Sequence, residues 1–256
     1  MIDTHAHIYA EEFEEDIEEV VNRATAIGID KILMPNIDAN SIDAMLRLEE
    51  NYTGTCYAMM GLHPCHVKSD YKEQLKVVEE WFAKRHFLAV GEIGTDLYWD
   101  KTYWNPQVEA FHFQCEIALK YDLPVAIHCR ESLDENIAMV EEYSGKGLKG
   151  VFHCFTGSIA QAERRVDQGF YLGLGGVSTF KNGGLDRIIP HLEKSKIVLE
   201  TDAPYLAPTP KRGKRNEPKL LIHICEKIAE YLKMSVKEVD ELTTGNAERL
   251  FFPKST

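Results

Sequence analysis

Eight short runs of β-forming residues recur along this chain: MIDTHAHI, KILMPNI, TCYAMMGLHP, FLAVGEIG, PVAIHC, GVFHCF, FYLGLGGV and KIVLETDAP. They begin near residues 1, 31, 55, 87, 124, 150, 170 and 196. Most are continuous apolar stretches rather than alternating ones, which is the pattern of parallel strands covered on both faces. The segments between them read as amphipathic helices. Phe13, Ile17, Val20, Val21, Ala24 and Ile27 form one stripe, and Leu221, Ile224, Cys225, Ile228 and Leu232 form another. Ser132 with Glu135, Ser158 with Gln161 and Ser235 with Glu238 have the spacing of capping boxes. Eight strands alternating with helices predict a parallel α/β sheet, and eight strands close a (β/α)8 barrel. A doubly wound open sheet is the competing arrangement. The 256 residues match the ~250 typical of such a barrel, so residues 1–256 are expected to form one domain. A further helix near 235–250 exceeds what the barrel needs and is expected outside it.

Composition narrows the class. A 44% hydrophobic and 27% charged chain is an ordinary globular one, and no run approaches the ~18 apolar residues of a membrane span. The acidic first segment lacks the basic-then-apolar order of a signal peptide, so the expected location is the cytoplasm. Six widely spaced cysteines with no C-x-x-C pair fit reduced thiols. Cys129 and Cys154, each following a histidine, are expected to turn away from it into packing. A net charge of −12 argues against a general nucleic-acid coat protein. Bound divalent cations would reverse that sign within one pocket.

Active sites of barrels lie at the C-terminal ends of the strands. His5 and His7 stand on one face at the end of strand one, Glu92 ends strand four, His128 strand five, His153 strand six and Asp202 strand eight. Imidazoles and carboxylates together suit zinc, manganese or another divalent ion. Six such ligands, one able to bridge, hold two ions. Two cations ~3.5–4 Å apart polarise a phosphoryl oxygen and acidify water, and Asp202 stands where a base can take the water's proton.

The ordered motifs resemble the TatD-related metal-dependent deoxyribonucleases of the amidohydrolase superfamily. They are D-T-H-A-H at Asp3–His7, G-L-H-P at Gly61–Pro64, G-E-I-G-x-D at Gly91–Asp96, H-C-R at His128–Arg130 and H-C-F-T-G at His153–Gly157. T-F-K-N at Thr179–Asn182, E-T-D-A-P-Y-L at Glu200–Leu206, R-G-K-R-N-E-P at Arg212–Pro218 and G-N-A-x-R-L-F at Gly245–Phe251 complete them. The resemblance implies a binuclear centre of Zn, Mg or Mn. His5 and His7 would hold one ion, His128 and His153 the other, Glu92 would bridge, and Asp202 would bind and act as base. It further implies cleavage of DNA phosphodiesters, as a 3′–5′ exonuclease on single strands or ends. Two positions depart from the family: Thr95 replaces the usual Leu, and Cys129 a frequent Ser. Neither is a presumed ligand, so they bear on substrate preference.

Around the metals, His63 and Arg130 are candidate substrate contacts, and Lys211, Arg212, Lys214 and Arg215 form a candidate phosphate shelf past strand eight. Tyr98, Trp99, Tyr103 and Trp104 either stack nucleobases or pack beneath a loop. Asn216 and Glu217 match the family's N-E-P, of which Glu217 is expected to orient the loop of that shelf, and Asn246 is expected to cap or anchor the last helix. Two rival readings remain. One keeps the metals but attacks a carbonyl, in a D-aminoacyl-tRNA or a small lactone, amide or ester. The other is a non-catalytic nucleic-acid-binding protein with a decayed site, which the complete ligand set disfavours.

Overall fold

All eight runs become parallel strands in a computed structural model that describes residues 1–253. They are β1 (Ile2–Asp3), β2 (Lys31–Pro35), β3 (Cys56–Met59), β4 (Val90–Asp96), β5 (Val125–Arg130), β6 (Gly150–Phe152), β7 (Tyr171–Leu174) and β8 (Ile197–Leu199). β1 to β3 pair in order, as do β4 to β8. Two further seams close the ring. Leu88 N–H donates to Ala58 O at 3.1 Å and Gly91 N–H to Met60 O at 3.0 Å, joining β3 to β4. Thr4 N–H donates to Leu199 O at 3.0 Å and His7 N–H to Ala203 O at 2.7 Å, joining β8 to β1. The chain is a single (β/α)8 barrel.

The helices are α1 (Ile17–Thr25), α2 (Ile42–Asn51), α3 (Tyr71–Lys84), α4 (Trp104–Tyr121), α5 (Leu133–Glu141), α6 (Ile159–Val166), α7 (Leu221–Leu232) and α8 (Val236–Phe251). One connection departs from the pattern. Between β7 and β8 the chain makes short 3₁₀ turns and no α-helix. Gly183, Gly184 (φ 73°) and Pro190 fall within it, and each interrupts a helical ladder.

Two of the three expected capping boxes form, at Ser158–Gln161 and Ser235–Glu238. The third does not. Ser132 Oγ donates instead to Thr95 O at 2.8 Å, and Asn136 Nδ2 donates to Thr95 Oγ1 at 2.6 Å. Thr95 is thereby a buried clamp between β4 and α5 rather than a face of the cleft.

The extra helix is not an outside attachment. Ala247, Leu250 and Phe251 of α8 join Ile2, Leu33, Met59, Ala89, Ala126, Val151, Tyr171 and Val198 in one apolar cluster. Seven of these residues lie in β1 to β3 and β5 to β8 and Ala89 directly precedes β4, and α8 stoppers the N-terminal end of the barrel. Asn246 Nδ2 fixes it there by donating to Lys194 O at 2.8 Å and Ile197 O at 2.6 Å. With that end closed, polar side chains converge at the other.

Candidate metal centre

His5 and His7 leave β1 with their rings turned the same way, and their Nε2 atoms lie 3.3 Å apart. The segment is held by its neighbour in the ring. The Asp3 carboxylate accepts from Thr201 N–H at 2.9 Å, Thr201 Oγ1 at 2.6 Å and His5 N–H at 3.3 Å, tying β1 to the stretch that carries Asp202. Asp202 N–H donates to His5 O at 2.8 Å, and the residue takes a left-handed φ of 58°. A non-glycine residue rarely sits there, and such strain collects at functional sites. Here it aims the carboxylate into the mouth, with Oδ1 3.9 Å from His5 Nε2 and 3.7 Å from His7 Nε2.

Glu92, buried in β4, stands at the centre. Its Oε2 faces the first pair, 3.1 Å from His5 Nε2 and 3.4 Å from His7 Nε2. Its Oε1 faces the second, 2.9 Å from His128 Nδ1 and 3.1 Å from His153 Nε2. His63 Nε2 also lies 3.3 Å from Oε1. The backbone beneath is close-packed: a Cβ on Gly94, which has φ 134°, would meet His128 O at 2.0 Å, so only glycine lets β4 and β5 approach this far.

Burial opposes charge on Glu92, His5, His63, His153 and Asp202, and the neighbours overcome it only at some of them. Burial alone would raise Glu92, but the imidazoles of His63, His5 and His153 outweigh it and hold the carboxyl well below the usual range. Burial lowers His5, and lowers His63 to about 4. For His153 burial is overcome by Glu92 and Glu200, which keep it well above an ordinary histidine. Burial pushes Asp202 up, against the pull of His153, His5 and His7.

These residues fit divalent cations. His5, His7 and Glu92 each offer a ligand atom within 4.8 Å of the others, and so do Glu92, His128 and His153, and His5, His153 and Asp202. Neutral imidazole nitrogens packed this closely repel through their lone pairs unless a cation or proton lies between them. Three rings are also held from behind, as metal-ligating histidines are. His7 Nδ1 meets Tyr9 Oη at 3.0 Å, His128 Nε2 meets Asp96 Oδ2 at 2.9 Å, and His153 Nδ1 meets Glu200 Oε1 at 3.2 Å. Each contact leaves the other ring nitrogen facing inward. Glu200 is wholly buried, and a Cβ on Gly173 would come within 2.2 Å of its Oε2, so that glycine makes room for it.

Asp96, Glu200 and Tyr9, which brace these rings, are positions that sequence reasoning did not assign. Asp96 and Glu200 stand inside the G-E-I-G-x-D and E-T-D-A-P-Y-L motifs, which was the signal available.

The mouth opens into a cleft of about 760 Å³ lined by His7, His63, Glu92, Asp96, His128, His153 and Asp202, with Trp99, Arg130, Tyr205 and Leu206 at its edges. Cys129 and Cys154 contribute to its wall instead of facing away. Cys154 has left β6 and takes φ 47°, which breaks the alternation. Burial pushes both thiols up to about 12, so they are protonated.

Lys211, Arg212, Lys214 and Arg215 are exposed on the loop beyond Asp202 and are not among the residues lining the cleft. Arg215 is engaged: its Nη1 and Nη2 donate to Asp16 at 2.8 and 2.7 Å. The Arg212 guanidinium covers the Phe180 ring at 4.0 Å. Asn216 Nδ2 donates to Thr201 O at 2.7 Å and Tyr205 O at 2.6 Å, and Glu217 Oε2 accepts from Arg23 at 2.6 Å, so this pair fixes the base of the loop. His66 lies further out, paired with Asp38 at 2.9 Å.

A closed parallel barrel with four histidines and two carboxylates at its C-terminal mouth is the architecture of a metal-dependent hydrolase. Residues 2–252 match the family model described as TatD related DNase, and the chain belongs to that family. It is 36% identical over 252 residues to the uncharacterized metal-dependent hydrolase YabD of Bacillus subtilis, covering 98% of both chains. It is 31% identical over 260 residues to the 3′-5′ ssDNA/RNA exonuclease TatD of Citrobacter rodentium, covering 98% of this chain and 97% of that one. Its fold matches the crystal structure of YjjV, a TatD homologue from Escherichia coli K12, with a TM-score of 0.92 and 31% identity over 98% of this chain and 97% of that one. No helix among the described residues is long and apolar enough to cross a membrane.

Proposed function

We propose that this chain is a nuclease that hydrolyses phosphodiesters at the 3′ end of single-stranded DNA, and that His5, His7, Glu92, His128, His153 and Asp202 would hold two divalent ions. The observation that carries the reading is the division of labour at the Glu92 carboxylate: Oε2 meets His5 and His7, Oε1 meets His128 and His153. Such a site suits Zn, Mn or Mg, which when bound polarise a phosphoryl oxygen and acidify water.

The chain's own groups then do the following. Asp202, whose carboxylate faces the mouth beside His5 and His7, takes the proton of the attacking water. His63 Nδ1 accepts from Cys65 N–H at 3.0 Å, which leaves the proton on Nε2. That proton faces Glu92 Oε1 at 3.3 Å, so His63 braces the carboxylate from the cleft wall. Arg130 offers a second cation at the rim, and Lys211, Arg212 and Lys214 offer diffuse attraction further along the strand.

The test is a single-stranded oligonucleotide labelled at its 5′ or 3′ end and incubated with Mg²⁺, Mn²⁺ or Zn²⁺. The reading expects progressive shortening from the 3′ end, with the 3′ label released first. Internal cuts alone would contradict the exonuclease reading. An untouched strand alongside rapid turnover of a lactone or ester would move the electrophile from phosphorus to carbon.

A further inference from the structure

We infer that Trp99 and Tyr98, held by Asp96 and Arg130, form a stacking platform for a nucleobase beside the scissile phosphate, and that this platform selects single strands. The inference rests on the nuclease reading and assigns it a specificity site. Trp99 is 68% exposed and Tyr98 49%, so neither packs beneath the loop that carries them. Trp99 lines the edge of the cleft and Tyr98 stands beside it, so two adjacent aromatic side chains lie open to a group entering there.

The pair is rigidly registered to the metal centre. Asp96 Oδ1 accepts from Tyr98 N–H at 2.9 Å and Trp99 N–H at 3.0 Å, while its Oδ2 meets His128 Nε2 at 2.9 Å. One carboxylate therefore fixes both the histidine ring and the backbone of the platform. Tyr98 and Trp99 meet edge to face, with centroids 4.9 Å apart. The Arg130 guanidinium lies 3.8 Å from the Tyr98 centroid and 5.2 Å from that of Trp99. This cation–π contact stiffens the platform and places positive charge where the phosphate beside a stacked base must run. Across the cleft stands Tyr205, half exposed, its ring 6.2 Å from that of His7.

An exposed aromatic face beside a cation, next to a phosphodiester site, suits a base and its phosphate. Stacking tolerates any base because every base has a π-face. In a duplex the interior bases are covered by their neighbours and the terminal base is held in its pair, so neither is free to swing onto the platform. The platform would thus admit any sequence but only an unpaired strand.

Two measurements test this. In the first, an abasic nucleotide is stepped through the single strand from its 3′ end, and kcat/KM is compared for wild type, Trp99→Ala and Trp99→Phe. The platform predicts one position where loss of the base lowers wild-type kcat/KM roughly 5- to 150-fold. Trp99→Ala should lose a similar factor on the intact strand and little more on that abasic one, and Trp99→Phe should recover much of it. Losses that multiply, or no loss in Trp99→Ala, would overturn the platform.

The second measurement is independent of cutting. Metal-loaded protein is mixed with a strand whose phosphorothioate linkages resist hydrolysis and which carries 2-aminopurine at that position, or near the 3′ end where no cleavage is detected. Quenching by wild type but not Trp99→Ala supports stacking, and it does so even if no strand is ever cut, in which case the nuclease reading alone falls. Equal quenching by both proteins, none by either, or equal quenching with a duplex, overturns the inference.

Discussion

Asp202 is asked to do two things: accept a proton and hold its place beside two imidazoles 3.7 and 3.9 Å away. Replacing it with Asn keeps the shape and removes the basicity. Asp202→Asn is expected to lower kcat by ~10²–10⁴-fold while leaving oligonucleotide Kd within a few-fold. Metal content measured on the same sample separates lost base from lost ligand. Full metal with near-normal turnover would take Asp202 out of the base role. At this scale the sequence was informative about ligands and poor about their supports. Two histidines one residue apart in a β-rich run leave few bland explanations. A lone carboxylate such as Asp96 or Glu200 near a strand end reads equally well as a helix cap. Only the ring orientations of His128 and His153 reveal which histidine each one holds.

The loop after β8 shows what a basic cluster conceals. KRGKRNEPK reads as a uniform positive stretch, yet Arg215 is committed to Asp16, and Glu217 to Arg23. Such partners lie about 200 positions away in sequence, so no local pattern announces them. Hydrogen bonds from Arg215, opposed by partial burial and aided by Arg23, hold the Asp16 carboxyl at about 2, below its ordinary 3.8. A depressed carboxyl stabilises the fold fully above the unfolded value, and that contribution is lost as pH falls through the folded one. Asp16→Asn should therefore cost under ~1 kcal/mol near neutrality, as partly exposed pairs do. The difference from wild type should shrink between about pH 4 and pH 2. Denaturant melts across that range check it, and a difference that grows on acidification would refute the pairing. The missing helix between β7 and β8 has a local origin instead. Its apolar residues suggest a helix, while Gly183, Gly184 and Pro190 deny it a continuous ladder.

At the scale of the molecule, the barrel was legible because eight apolar runs at regular spacing allow few other arrangements. The role of α8 was not. An amphipathic helix at the end of a chain looks the same whether it lies outside a barrel or plugs it, since only its partners differ. Phe251 is 4% exposed within a cluster drawn from seven strands and the residue preceding β4. Phe251→Ala is expected to destabilise the whole domain by ~3–5 kcal/mol, as large-to-small core changes do. Its kcat should stay near wild type at low temperature, because the plug sits at the end of the barrel opposite the metals. Equilibrium unfolding alongside activity measures both. A loss below ~1 kcal/mol would mean that α8 merely leans on the barrel.

The central claim is that the six ligands hold divalent ions without which nothing is cut. The direct measurement strips the protein with chelator, confirms its metal content by elemental analysis, and follows cleavage of an end-labelled single strand as Zn²⁺, Mn²⁺ or Mg²⁺ is returned. The account predicts no cleavage by the stripped protein and recovery that tracks bound metal up to about two ions per chain. Cleavage by protein shown to be metal-free would contradict it.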